Sequence, residues 1–212
     1  MISLVFIMML SYLAGSFPTS IILSKLSKGI DIRDYGSGNA GASNTIRILG
    51  WKIGIVVILI DVAKGILATL LISQLRIDQL PVNPDMAQII AGFCSIIGHI
   101  WTVFAGFRGG KGVATGGGMI FALYPVAAAI CLIIFLTLLL TVRIVSVGSI
   151  TAALSLPLVI LILKTYFNYA ISDQLFYFSI FAAALILFTH RSNIKRLMRG
   201  EENRFKKFGK KK

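Results

Sequence analysis

Long apolar runs, separated by short glycine-rich or basic stretches, organise the whole chain. Clear runs occupy residues 2–23, 53–75, 86–104, 150–163 and 171–189, and a longer one fills 113–142. A helix rises 1.5 Å per residue, so about 20 residues cross a hydrocarbon core about 30 Å thick. The five clear runs therefore predict one crossing each, with 150–163 short for the task. The run 113–142 overshoots one crossing and is scant for two.

Charge decides between one and two. Lys25, Lys28, Arg33, Arg47 and Lys52 fill the first connection, Arg108 and Lys111 a later one, and Arg143 follows the long run. Basic residues favour the cytoplasmic side, and these groups share a side only if 113–142 crosses twice. Tyr124-Pro125 is the expected turning point, because proline removes a backbone donor. The pattern predicts an all-α polytopic membrane protein of seven transmembrane helices, N-terminus outside and C-terminus cytoplasmic. No repeat or low-complexity linker divides it, so residues 1–212 read as one membrane domain with a basic cytoplasmic tail from about 191.

Composition sharpens this picture. Apolar side chains make up 57% of the 212 residues and charged ones 14%, against roughly 45–50% and 25% in soluble domains, which excludes an ordinary soluble fold. The net charge of +13 raises nucleic acid as a partner, but no aromatic residues interleave the charges as base stacking requires. The basic tail reads instead as facing anionic membrane lipids. Cys94 and Cys131 lie inside apolar runs without paired spacing and read as small buried hydrophobes. No basic residue precedes Phe17, so the first run is expected to remain as a membrane helix rather than a cleaved signal.

Chemistry then falls to the polar stretches. Residues 35–47 contain a G-x-G-x-x-G from Gly36 to Gly41, but no strand precedes it, so the dinucleotide reading fails its context. Its glycines let backbone N–H groups turn toward a ligand, and Ser37, Asn39, Asn44 and Arg47 add donors, which suits an anion such as phosphate. A hydrated loop is the plainer alternative. Residues 104–115 resemble a phosphate loop, yet Ala105 and Gly112 stand where a nucleotide P-loop needs glycine and Ser or Thr. Lys111 at the start of a helix, beside Gly109, Gly110 and Gly112, still offers an ammonium, N–H groups and a positive dipole end to an anion; the plainer alternative is that Arg108 and Lys111 only hold the loop inside.

His190 and Asn193, three apart, share a face if the last helix continues. His190 is the best general-base candidate, since His99 lies one turn inside an apolar helix; an interfacial histidine is the plainer reading. Asp61 and Lys64 share a helix face inside the membrane and read as a structural ion pair. Ser146, in the polar connection 143–149, is a further candidate for lining a site.

The stretches GSGNAGASN (36–44), FRGGKGVAT (107–115) and HRSNIKRLMRGEE (190–202), in this order in a small seven-helix chain, resemble the bacterial acyl-phosphate:glycerol-3-phosphate acyltransferases. The resemblance covers nearly the whole chain. It implies transfer of a long-chain acyl group from acyl phosphate to the 1-hydroxyl of glycerol 3-phosphate, giving lysophosphatidic acid and phosphate, the first acylation of phospholipid synthesis. It also implies that no metal, cofactor, coenzyme A or acyl carrier protein takes part, and that the protein sits in the bacterial inner membrane with its site facing the cytoplasm. Ser37, Arg47, Lys111, His190 and Asn193 would line the substrate site, with Ser37, Lys111, His190 and Asn193 catalytic. Gly38, Asn39, Asn44, Gly109, Gly110, Gly112 and Ser146 complete the expected substrate-binding set.

An acyl phosphate is an activated mixed anhydride, so direct attack by the glycerol hydroxyl needs positioning and charge stabilisation rather than a covalent enzyme intermediate. Either His190 or the substrate's own phosphate then accepts the proton. The His and Asp five residues apart used by other membrane acyltransferases are absent, since Phe104 follows His99 and Lys195 follows His190 at that spacing. An anion or lipid-phosphate transporter is the rival class; it needs a pathway near the midplane, whereas the polar stretches here are expected on one face.

Overall fold

The computed structural model describes residues 1–205, and all regular structure among them is helical. The last part of the expected basic tail, 206–212, lies outside the described residues. Among the described residues, four helical runs are long and apolar enough to cross a membrane alone: Ile2–Lys28, Trp51–Gln74, Pro84–Ala105 and Val145–Tyr166. The chain falls into two compact units, Met1–Pro125 and Val126–Lys212.

In the first unit, the run expected as one helix is broken at Phe17-Pro18 into α1 (Ile2–Ser16) and α2 (Thr19–Lys28). Pro18 has no N–H to donate, which explains the break. Helix α1 begins under Asp78, whose carboxylate accepts the Ile2 and Ser3 N–H groups at 3.0 and 2.8 Å. Short α3 (Ala42–Leu49) leads into α4 (Trp51–Leu70), followed by α5 (Pro84–Ile100) and α6 (Val113–Leu123). Asn83 caps α5 by accepting the Met86 N–H at 2.8 Å.

The helices of this unit pack through small residues, as expected where lipid removes the hydrophobic drive for association. Gly65 of α4 lies against the Thr115 carbonyl of α6, and Gly118 of α6 against the Val62 carbonyl of α4. A side chain at either position meets backbone that cannot move aside. Gly118→Val is therefore expected to force α4 and α6 apart and destabilise the protein by about 1–3 kcal/mol, read as a lower unfolding midpoint in detergent; an unchanged midpoint would refute this packing.

In the second unit, α7 (Pro125–Thr141), α8 (Val145–Tyr166), α9 (Asp173–Thr189) and α10 (Arg191–Met198) follow in order. The run 113–142 is interrupted at Tyr124, with α6 ending at Leu123 and α7 starting at Pro125. At 11 and 17 residues, α6 and α7 are shorter than the roughly 20 that one full crossing takes. The short run 150–163 is corrected upward, because α8 has 22 residues. Its first turn absorbs Ser146, Gly148 and Ser149, all buried, so the expected polar connection shrinks to Val142–Ile144, where Arg143 takes a left-handed φ of 61°. Near the other end of α8, Lys164 pairs with Asp173 at the start of α9. Helices α9 and α10 meet at a 61° bend.

Candidate active site

In the first unit, the segment between α2 and α3 folds around Asn44. The Asn44 oxygen accepts the Ser37 N–H at 2.9 Å, and its nitrogen donates to the Ile32 and Tyr35 carbonyls at 3.0 and 2.9 Å. Only 1% exposed, Asn44 organises the loop, and both amide donors expected to face an anion are spent on the Ile32 and Tyr35 carbonyls. Gly36 adopts a left-handed φ of 62°, and a Cβ there would also strike the Asn44 oxygen. Ile32, wholly buried, packs with Ile21 and Ala40 and anchors the loop on α2. What stays toward the surface is half-buried Ser37, Asn39 and, on α3, Arg47, with Gly38 exposed.

Arg33, expected only as a topological charge, joins this loop to the next. It grips Asp31 with two bonds of 3.0 and 2.7 Å and donates to the Ala105 carbonyl at 2.7 Å. The Arg33 hydrogen bond holds the Asp31 carboxyl below its ordinary value. A lowered folded value means the contribution of this grip is full above the unfolded carboxylate range near pH 4 and is lost only as pH falls through the lowered value.

The second glycine-rich loop is fastened to the end of α5. The Gly109 N–H donates to the Ile100 carbonyl and the Gly110 N–H to the His99 carbonyl, both at 3.0 Å. These carbonyls are orphan acceptors of the last helical turn. Two of the N–H groups expected to face an anion are thus spent on α5, and Gly109 and Gly110 serve close approach instead. Gly112 caps α6 with φ +83°, so Lys111 stands two residues before the first helical residue, half-buried. The α6 N-terminus adds its positive dipole end there.

A recess borders this loop, lined among others by Thr19, Asp61, Lys64, His99, Gly109 and Gly110. The expected ion pair is present, Lys64 Nζ to Asp61 Oδ1 at 2.7 Å, with both residues at least 95% buried. Thr19 donates to the same carboxylate oxygen at 3.0 Å, and Lys64 also donates to the Phe17 carbonyl at the α1–α2 break. His99, set aside by sequence, lies in the last turn of α5 with its Nδ1 3.7 Å from Asp61.

In the second unit, His190 forms the hinge between α9 and α10 rather than a point within one continuous helix, which corrects the expected shared face. It is 3% exposed. Its Nδ1 lies 2.8 Å from the Ile186 carbonyl; a carbonyl can only accept, so Nδ1 carries a proton and this bond fixes the orientation of the ring. Asn193, 6% exposed, donates to Glu202 at 2.8 Å, and the other Glu202 oxygen accepts from Arg196 at 2.8 Å. Gly200, with φ 71°, turns the chain back so that Glu202 reaches α10. Sequence reasoning passed over Glu202; its fixed place in an otherwise basic tail was the available signal. Ser146, at the α8 N-terminus, is buried and its hydroxyl has no hydrogen-bond partner among the described residues.

Apolar helices, glycine-mediated packing and basic glycine-turned loops define a helical integral membrane protein. A family model for glycerol-3-phosphate acyltransferase matches residues 5–200. Glycerol-3-phosphate acyltransferases of Chlorobium phaeobacteroides and Chlorobaculum tepidum are 45% and 46% identical, covering 99% of both chains in the first case and 100% in the second. Two crystal structures of PlsY (YgiH), an integral membrane glycerol 3-phosphate acyltransferase, share 38% identity over 96% of each chain; the glycerol 3-phosphate form superposes with a TM-score of 0.83 and the lysophosphatidic acid form with 0.81. The chain belongs to the glycerol-3-phosphate acyltransferase family, as its three motifs suggested.

Proposed function

We propose that this acyltransferase uses long-chain acyl phosphate as donor, acylates the 1-hydroxyl of glycerol 3-phosphate, and releases lysophosphatidic acid and phosphate. The supporting observation is the full-length likeness to PlsY, whose two structures are a glycerol 3-phosphate form and a lysophosphatidic acid form. The residues suit direct transfer. Arg47 and Lys111 hold phosphate charge, Ser37 and Asn193 bind and orient the glycerol phosphate, and Ser146 supplies a hydroxyl. Glu202 fixes the Asn193 amide. The glycerol hydroxyl attacks the acyl carbonyl, the acyl–phosphate bond breaks, and the proton passes to the substrate's own phosphate, with His190 Nε2 orienting the hydroxyl. Positioning and electrostatics carry such a reaction, without metal, coenzyme A or acyl carrier protein. Mass spectrometry of the product tests the reading: 1-acyl lysophosphatidic acid is expected, and acylation at another hydroxyl or none contradicts it.

We further propose seven crossings of a bacterial inner membrane, the N-terminus outside and both glycine loops and the tail cytoplasmic, with the whole chain acting as one acyltransferase domain. The segregation of Lys and Arg supports this topology. In a variant lacking Cys94 and Cys131, an impermeant thiol reagent applied to intact cells should modify Asn83→Cys and spare Arg199→Cys. Both native positions are exposed. The reverse pattern would overturn the topology.

A further inference from the structure

We infer that His99, wedged between the buried Asp61–Lys64 pair and Gly110, positions the glycine loop that carries Lys111. The mechanism does not use this polar cluster, and stability does not explain it, since replacing a buried ion pair with well-packed apolar side chains is often neutral or stabilising. The contacts give it another purpose. Asp61 gathers Lys64 at 2.7 Å and Thr19 at 3.0 Å on one carboxylate oxygen. Lys64 reaches on to the Phe17 carbonyl, so the pair ties α4 to the break between α1 and α2.

The same Asp61 oxygen faces His99 Nδ1 at 3.7 Å. The opposite edge of the ring abuts the loop, because a Cβ built on Gly110 would fall against His99 Nε2. His99 holds Gly110 a second time, through its carbonyl, which accepts the Gly110 N–H at 3.0 Å. Side chain and backbone of one residue thus grip the position immediately before Lys111. Asp61, Lys64 and Thr19 brace the far side of the ring. His99 is a positioning residue: it sets where the Lys111 ammonium starts from, and a misplacement of about 1 Å can cost on the order of 10²-fold in rate.

The consequence for catalysis rests on the acyltransfer reading, so the test has two arms. In the first, hydrogen exchange is followed by mass spectrometry on detergent-solubilised full-length protein. His99→Ala and Asp61→Asn are expected to speed exchange in the peptide 106–115 about tenfold or more, while residues 86–98 keep their protection; His99→Gln, which retains bulk and polarity, should fall between. Unchanged exchange in 106–115, or equal loss of protection along α5, would overturn the inference. This arm reads loop positioning whatever reaction the protein catalyses.

The second arm is a double-mutant cycle on acyl transfer from palmitoyl phosphate. His99→Ala should lower kcat/KM about 10- to 100-fold in the wild-type background and less than about 3-fold on Lys111→Ala, because it then has no ammonium left to misplace. Equal factors in both backgrounds would mean that His99 acts independently of Lys111 and would overturn the inference. Absence of transfer by the wild type itself would count against the proposed reaction and leave the exchange arm to decide the positioning.

Discussion

Lys111→Ala should lower kcat/KM roughly 30- to several-thousand-fold, because removing a cation from a largely desolvated phosphate contact costs about 2–5 kcal/mol. Lys111 is half-buried, in a loop held from two sides: Gly109 and Gly110 are bonded to the end of α5, and Gly112 caps α6. The ammonium therefore projects from a fixed base, which in the proposed reaction is what lets its charge stabilise the transition state. Lys195 is exposed on α10 and serves as the control; Lys195→Ala should change kcat/KM little. Equal losses in both variants would mean that the lysines act only through topology or folding.

His190→Ala should lower kcat on the order of 10²-fold, through loss of hydroxyl orientation. The pH profile separates orientation from proton abstraction. A neutral imidazole acting as base would make activity fall as pH drops through the histidine pKa, and a phosphate monoester, with its second ionisation near pH 6, gives a similar acid limb. Measured on wild type alone, the limb is ambiguous. In the proposed route, the limb survives in His190→Ala and moves when a glycerol 3-phosphate analogue of altered second pKa is used. A limb that stays put with the analogue and disappears in His190→Ala, together with a loss of 10²–10⁴-fold, would make His190 the base.

The apolar pattern made the long apolar helices legible, four of them of membrane-crossing length among the described residues, and Tyr124-Pro125 marked a real helix end. What it hid were effects that hydropathy does not register. The break at Phe17-Pro18 lies in an apolar run that reads as continuous, although Pro18 was the cue. Helix α8 is longer than its apolar run because Ser146, Gly148 and Ser149 are buried inside the protein, where small polar residues are as acceptable as aliphatic ones.

At the site, residue types were legible but hydrogen-bond partners were not. Asn44 looked like a ligand donor and proved to be the organiser of its loop, because its spacing to Ile32, Tyr35 and Ser37 matters only once the chain has turned. Gly109 and Gly110 looked like anion donors, yet the unsatisfied carbonyls of α5 claim their N–H groups. Glu202 and His99 were passed over for the same reason: their partners are distant in sequence or brought close only by a bend.

The most direct test of the account is the choice of acyl donor. Purified protein is incubated with glycerol 3-phosphate and either palmitoyl phosphate, palmitoyl coenzyme A or palmitoyl acyl carrier protein, in the presence of a metal chelator. Phosphate release is expected with palmitoyl phosphate alone, dependent on glycerol 3-phosphate and matched mole for mole by lysophosphatidic acid. Product formation from either thioester donor with none from palmitoyl phosphate would contradict it.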